Sequence, residues 1–262
     1  MAFDVLRQVP ERRKDGQAEA LLATLETAAG EVASSLGSRP AALRDVLDAL
    51  AAGVALPPRD AVRARRAPLA LHVALDGLRE TLFTVPGRDR EARLLWREAL
   101  ATGWLAADIA RLAGGSPGTA GLAGLLHRAG DALALRTIAR FESTGQVRLD
   151  ASSVQSTAVT FEPEFTAALG RAWKLAPGVV AALQGWRRVG EGSSVGAEAR
   201  AVHFGHAFAS QVLFAEFPAP GLAAAVEAAL RLDRRELARL RAGFEPLRDA
   251  VDTLLGEAQT RR

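Results

Sequence analysis

Two histidine spacings carry most of the chemistry open to this sequence. His127 stands four residues before Asp131, and His203 three before His206. On a helix those intervals put side chains on one face. His127 or Arg128 can then pair with Asp131, an interaction of about 0.2–0.5 kcal/mol if exposed. His203 and His206 supply two arms of a zinc site that needs a third ligand from elsewhere. The plainer expectation is that His127 completes a core hydrogen bond, and that one of His203 and His206 is packed and the other solvated. The chain has four histidines and no cysteine, which excludes thiolate zinc sites, iron–sulfur clusters, disulfides and cysteine nucleophiles. A Gly-x-Ser-x-Gly run occurs at Gly192-Ser193-Ser194-Val195-Gly196. A nucleophile elbow needs a strand before it, and none is predicted, so the run reads as a connector. The phosphate-cradling Gly-x4-Gly-Lys-Ser/Thr loop is absent.

The elements that would position these groups are helical almost throughout. The 262 residues, 49% of them hydrophobic, can bury a continuous core. Leucine and alanine recur at three and four over Gln17–Leu36, Ala41–Ala52 and Pro68–Phe83, which predicts amphipathic helices. The strongest pattern runs from Arg90 to Ala113, with Leu94, Leu95, Ala99, Leu105, Ile109 and Leu112 forming an expected buried stripe. A second long helix is expected over Thr119–Phe141, where glycines at 121 and 124 imply close approach to a neighbour. Ser143–Thr160 reads as a long loop with at most a short strand pair. Further helices are expected over Glu162–Lys174, Pro177–Arg187, Gly196–Phe214, Pro220–Leu232 and Asp233–Gly256, the last broken between Gly243 and Pro246. The predicted fold class is all-α, a multi-helix bundle in which residues 1–88 form a smaller N-terminal layer and residues 89–262 a larger bundle, packed as one continuous unit.

The pI near 10.3 overstates the field of the protein. Thirty-three basic side chains against 30 acidic ones leave +3, and nearly all the cations are arginines that do not titrate near neutrality. Two clusters stand out, Arg59, Arg63, Arg65 and Arg66, and Arg231, Arg234, Arg235, Arg239 and Arg241. Both suit solvated surfaces, and nucleic-acid binding, which needs clustered charge, is not expected. Trp186 beside Arg187-Arg188 is the best candidate for stacking on a base, or a core tryptophan. No secretory signal and no membrane span are visible, so a cytoplasmic protein is expected.

The stretch Leu95-Trp96-Arg97-Glu98-Ala99, followed by Gly124-Leu125-Leu126-His127-Arg128-Ala129-Gly130, resembles the HDOD family, relatives of the HD-type metal-dependent phosphohydrolases. In that family's pattern a Leu-Trp-x-His-Ser helix precedes a Gly-Leu-Leu-His-Asp-Ile-Gly helix. Trp173-Lys174-Leu175-Ala176-Pro177 is similar to its Trp-x-Leu-Pro step, and Ala201-Val202-His203-Phe204-Gly205-His206-Ala207 to its last ligand-bearing helix. Arg39 to Leu43 and Leu71 to Leu82 would correspond to the extra helical layer of HDOD proteins. The resemblance implies an HD-like helical bundle and a role in bacterial signal transduction.

The departures from that pattern bear on chemistry. Glu98 stands where an HD enzyme has its first metal histidine, Arg128 where the paired aspartate belongs, Gln184-Gly185-Trp186 where a later histidine pair stands, and His206 in place of the final aspartate. A permanent cation beside a ligand repels a divalent metal, so no metal and no cofactor are expected. The resemblance then implies a non-catalytic regulatory module that binds a signalling protein or a small ligand, a nucleotide second messenger among them. Its vestigial pocket would hold Glu98, His127, Arg128, Asp131, Trp186 and His206, with Glu98 paired to Arg128. The alternatives are a residual phosphohydrolase with one metal on Glu98, His127 and His206, and a nucleic-acid binder.

Overall fold

The computed structural model describes residues 15–37, 69–143, 149, 151–190, 194–214, 222–230 and 232–255. Among these the regular elements are helices, with no strand. In chain order they are α1 (Asp15–Ser35), α2 (Leu69–Leu82), α3 (Asp89–Leu112), α4 (Pro117–Leu126), α5 (Ala129–Ser143), α6 (Ala151–Ala172), α7 (Pro177–Gly185), a 3-10 turn (Trp186–Arg188), α8 (Ala197–Phe214), α9 (Leu222–Leu230), α10 (Arg234–Ala242) and α11 (Phe244–Leu254). The expected helix over Ala41–Ala52 and the Arg59–Arg66 cluster lie outside the described residues.

The chain gathers into two compact units, each built from separate stretches of sequence. The first takes in α1, the end of α2, the start of α3, and α5 and α6. Here α5 packs against α6 and α1. Val85, Ala92 and Leu135 form a small buried cluster closed by Leu95, Ala139 and Val154. Arg88 holds Glu142 through two bonds of 2.7 and 2.8 Å, and Arg140 reaches Glu31 of α1 at 2.6 Å. The half-buried Arg136 donates to the carbonyls of Thr81 and Thr84 at the end of α2.

The second unit holds most of α3, then α4, α7, the 3-10 turn and α8 to α11. α8 lies at its centre, packed against α4, α7, the 3-10 turn, α9 and α11. Glycine lets two of its crossings close. A Cβ on Gly124 would lie 2.8 Å from the Gly103 Cα, and one on Gly205 would lie 2.9 Å from the Ala106 nitrogen. Both helices therefore ride on the backbone of α3. α11 is fixed by Arg97 of α3, whose guanidinium meets the buried Asp252 at 2.7 Å, and by Arg248, which donates to the Val212 carbonyl at 2.9 Å.

Several sequence expectations are corrected. The loop expected over Ser143–Thr160 is helical from Ala151 onward. Its valines and threonines have modest helix propensity, but Thr157, Phe161, Phe165 and Leu169 are buried at intervals of four, and packing on α5 outweighs propensity. Pro163 falls on the exposed face of this helix, and Thr160 bonds back to the Ser156 carbonyl at 2.9 Å. The single helix expected over Thr119–Phe141 is two helices, interrupted at His127-Arg128. There the His127 ring binds the Gly124 carbonyl at 2.6 Å, the group that accepts from the Arg128 amide when a helix continues. Leu94, placed in the buried stripe of α3, is exposed, while Ala99, Leu105 and Ile109 are fully buried. The break between Gly243 and Pro246 falls at Gly243, and Pro246 sits in the first turn of α11, where no intrahelical N–H is needed.

Candidate functional site

The second unit brings Glu98, His127, Arg128, Trp186 and His206 into one cluster. Each arrives from a different local signal. Just beyond α3 stands Gly114, whose φ of +72° suits glycine, and Ser116 then caps α4 with Pro117 in its first turn. That sets the length of α4 so that His127 closes it as a buried C-cap residue. Pro177 starts α7, and Gly185 carries the chain into the 3-10 turn that presents Trp186. Glu98 lies in α3 and His206 in α8.

The polar contacts fix the protons. A carbonyl only accepts, so the 2.6 Å contact between His127 Nδ1 and the Gly124 oxygen places a proton on Nδ1. Burial, with the charges of His206, Arg128 and Arg187, holds His127 well below the ordinary histidine range, so the ring is neutral and its Nε2 bare. His206 Nδ1, 3.2 Å away, therefore donates to it. His206 is pushed down to about 4 by desolvation and by the positive charge of Arg128, Arg187 and His203. It too is neutral at pH 7, with Nε2 unprotonated. The result is a directed relay from His206 through His127 to the Gly124 carbonyl.

Trp186 packs edge-on against both imidazoles, with ring centroids 5.0 Å from His127 and 5.2 Å from His206. The Arg187 guanidinium covers its face at 4.4 Å. His203 donates Nδ1–H to the Trp186 carbonyl at 3.0 Å, which anchors the 3-10 turn to α8. The indole Nε1–H is buried without an acceptor from the protein. Trp186 is thus a core tryptophan whose ring is occupied on its face and edges, and stacking on a base is not available to it. Beside the histidines, Arg128 Nε lies 3.0 Å from Glu98 Oε2, both side chains largely buried.

Residues 69–186 match the family model of the HDOD domain. The chain carries an HDOD domain. No curated protein and no solved structure matches the chain. The matched stretch runs from α2 to Trp186, so it includes Glu98, His127 and Arg128, while His203 and His206 lie beyond it.

The metal centre of HD-type relatives does not fit these residues of the HDOD domain. Glu98 faces an arginine, and both ring nitrogens of His127 are engaged, leaving no lone pair for a metal. Among the described residues no group of three or more histidine, aspartate or glutamate side chains is placed to hold an ion. Asp131 is buried near the start of α5 in the other unit. Both nitrogens of His127 are engaged within the second unit.

Two further residues, singled out in the sequence for other roles, belong to this cluster. His203 is the anchor of the Trp186 carbonyl, and Arg187 the cover of its ring. The adjacency of Arg187 to Trp186 was a usable signal for the second. No local signal exists for the first, which joins residues 17 apart through a helix and a turn. The arginines Arg234, Arg235, Arg239 and Arg241 are exposed on α10, whose N-terminus is closed by a reciprocal Asp233–Glu236 capping box. No helix among the described residues is long and apolar enough to cross a membrane.

Proposed function

We propose that this HDOD protein is a non-catalytic regulatory module, acting in bacterial cytoplasmic signalling by binding a signalling protein or a small ligand, a nucleotide among the candidates, at the cluster around His206. The observation that carries this reading is the replacement of a ligand set by internal pairs: Glu98 with Arg128, and His127 with the Gly124 carbonyl and His206. A metal ligand needs an open lone pair. Both nitrogens of His127 are engaged, and Glu98 lies against Arg128, whose permanent cation repels a divalent ion. The closed pairs instead give a rigid, charge-compensated surface on which a binding partner is recognised without being transformed.

The test is metal analysis of the purified protein after exposure to manganese and zinc, joined to turnover assays on cyclic and linear nucleotides. The expected result is no stoichiometric metal and no turnover. Stoichiometric metal that disappears in His127→Ala, with hydrolysis that disappears alongside it, overturns the reading.

A further inference from the structure

The exposed arginines of α10 have no counter-charge. Among the described residues, Arg234, Arg235, Arg239 and Arg241 take part in no hydrogen bond and no ion pair. The two carboxylates of the segment are engaged at its N-terminus, where Asp233 accepts from the Glu236 amide and Glu236 from the Asp233 amide, each at 2.8 Å. Leu237 and Leu240 are buried and turn one side of the helix inward. At about 100° per residue, Arg234 and Arg241 form one row on the outer side and Arg235 and Arg239 a second. The exposed Ala238 and Ala242 lie between the two rows. This arrangement works against α10 itself: Arg234 and Arg235 in the first turn oppose the helix dipole, and Arg235 and Arg239, four apart, repel each other.

Two rows of cations on either side of a strip without bulk fit an elongated anion that enters the strip and carries charge along both edges. An α-helix with carboxylates at intervals of four and seven does this. Its side chains rise by about 6 Å and about 10.5 Å along the axis, the same steps that separate Arg235 from Arg239 and Arg234 from Arg241. The alanines let its backbone come close, since the distance between packed helices is set by the side chains at the contact. A nucleic acid fits the surroundings less well. The arginine face is about 13 Å long, with the exposed Asp233 at its start and the exposed Glu245 and Asp249 on α11 just past its end. A phosphate polymer running beyond the face meets like charge there. An anionic bilayer finds only alanine between the arginines, with no large apolar side chain to insert.

We propose that the outer face of α10 is a docking surface for an acidic α-helix of a partner protein, its carboxylates pairing with Arg234 and Arg241 along one edge and with Arg235 and Arg239 along the other, over the strip of Ala238 and Ala242. This goes beyond the binding-module reading, which places recognition at His206. The face shares no residue with that cluster, and its test is independent of the metal and turnover assays.

Fluorescence anisotropy with the full chain tests it near physiological ionic strength. The probes are a labelled alanine helix with glutamates at intervals of four and seven, the same peptide with glutamine in their place, and a short labelled DNA duplex; co-sedimentation with phosphatidylserine vesicles completes the set. The glutamate peptide should bind at least about tenfold more tightly than the glutamine peptide. Arg235→Gln with Arg239→Gln should weaken it by at least about tenfold, and so should Arg234→Gln with Arg241→Gln. Ala238→Gln with Ala242→Gln fills the strip, keeps all four charges and should weaken the peptide while leaving the duplex unaffected. Glutamine is a good helix former, so circular dichroism should show all three variants as helical as the wild type. No binding of the glutamate peptide, equal binding of the glutamine peptide, affinity retained in either arginine variant, or indifference to the filled strip overturns the proposal. A duplex or a vesicle that binds more tightly than the glutamate peptide overturns it as well, in favour of nucleic acid or membrane.

Discussion

Acidification should destabilise this protein through His206, by an amount the structure lets one work out. The ring is held to about 4 in the folded state, against about 6.5 for a histidine in an unfolded chain. Between those values the unfolded state binds the proton and the folded state does not, so stability falls as pH falls. Above about 6.5 the penalty is absent, and below about 4 it is complete. At about 1.4 kcal/mol per pH unit, the full penalty is about 3 kcal/mol. His127 adds a loss of the same sign, since burial holds it well below its ordinary range as well. Carboxylates also titrate in this window, so the informative quantity is a difference between variants. His206→Gln removes the titrating ring and keeps an amide N–H that can donate to His127. Urea unfolding followed by helical circular dichroism should show the stability of wild type relative to His206→Gln dropping by about 3 kcal/mol from pH 7 to pH 4. A difference that stays constant across that range would refute the assignment of His206 as a half-buried neutral donor.

Three further outcomes follow from the packing. Gly124→Ala pushes a methyl group to 2.8 Å from the Gly103 Cα, and neither backbone can yield easily; denaturant unfolding should show a loss of about 1–3 kcal/mol despite alanine's better helix propensity. Glu98→Gln leaves the Arg128 charge against a neutral amide and should destabilise by about 3 kcal/mol, while Glu98→Gln combined with Arg128→Met should recover much of that loss in a double-mutant cycle. Asp252→Ala removes the carboxylate that Arg97 meets at 2.7 Å, and hydrogen exchange should speed up in α11 more than in α4.

The helices were legible wherever an apolar stripe repeated with helical spacing, as over Ala99, Leu105 and Ile109 of α3. The first half of α6 escaped because its stripe begins with Thr157, and the burial that selects a helix there comes from packing on the preceding helix α5, which spacing within the segment does not contain. The interruption at His127-Arg128 was equally hidden, since neither residue is a helix breaker and the agent is a ring bonding to a carbonyl three residues back. Of the cluster, the Glu98–Arg128 pair could be anticipated from compensating charges. The contact between His127 and His206 spans 79 residues and exists only once α8 has docked on α4. Sequence spacing had instead joined each histidine to a residue on its own helix, to Asp131 and His203, because local geometry is all that spacing contains.

The chain has no tyrosine, and its four tryptophans, Trp96, Trp104, Trp173 and Trp186, are all buried. Its intrinsic emission therefore comes from shielded indoles alone. Of the four, Trp186 lies T-shaped against two imidazoles and has its face under a guanidinium. A histidinium quenches a neighbouring indole where a neutral imidazole does so far less. The placement of Trp186 thus turns the protonation of His206 into a change of fluorescence that needs no added label.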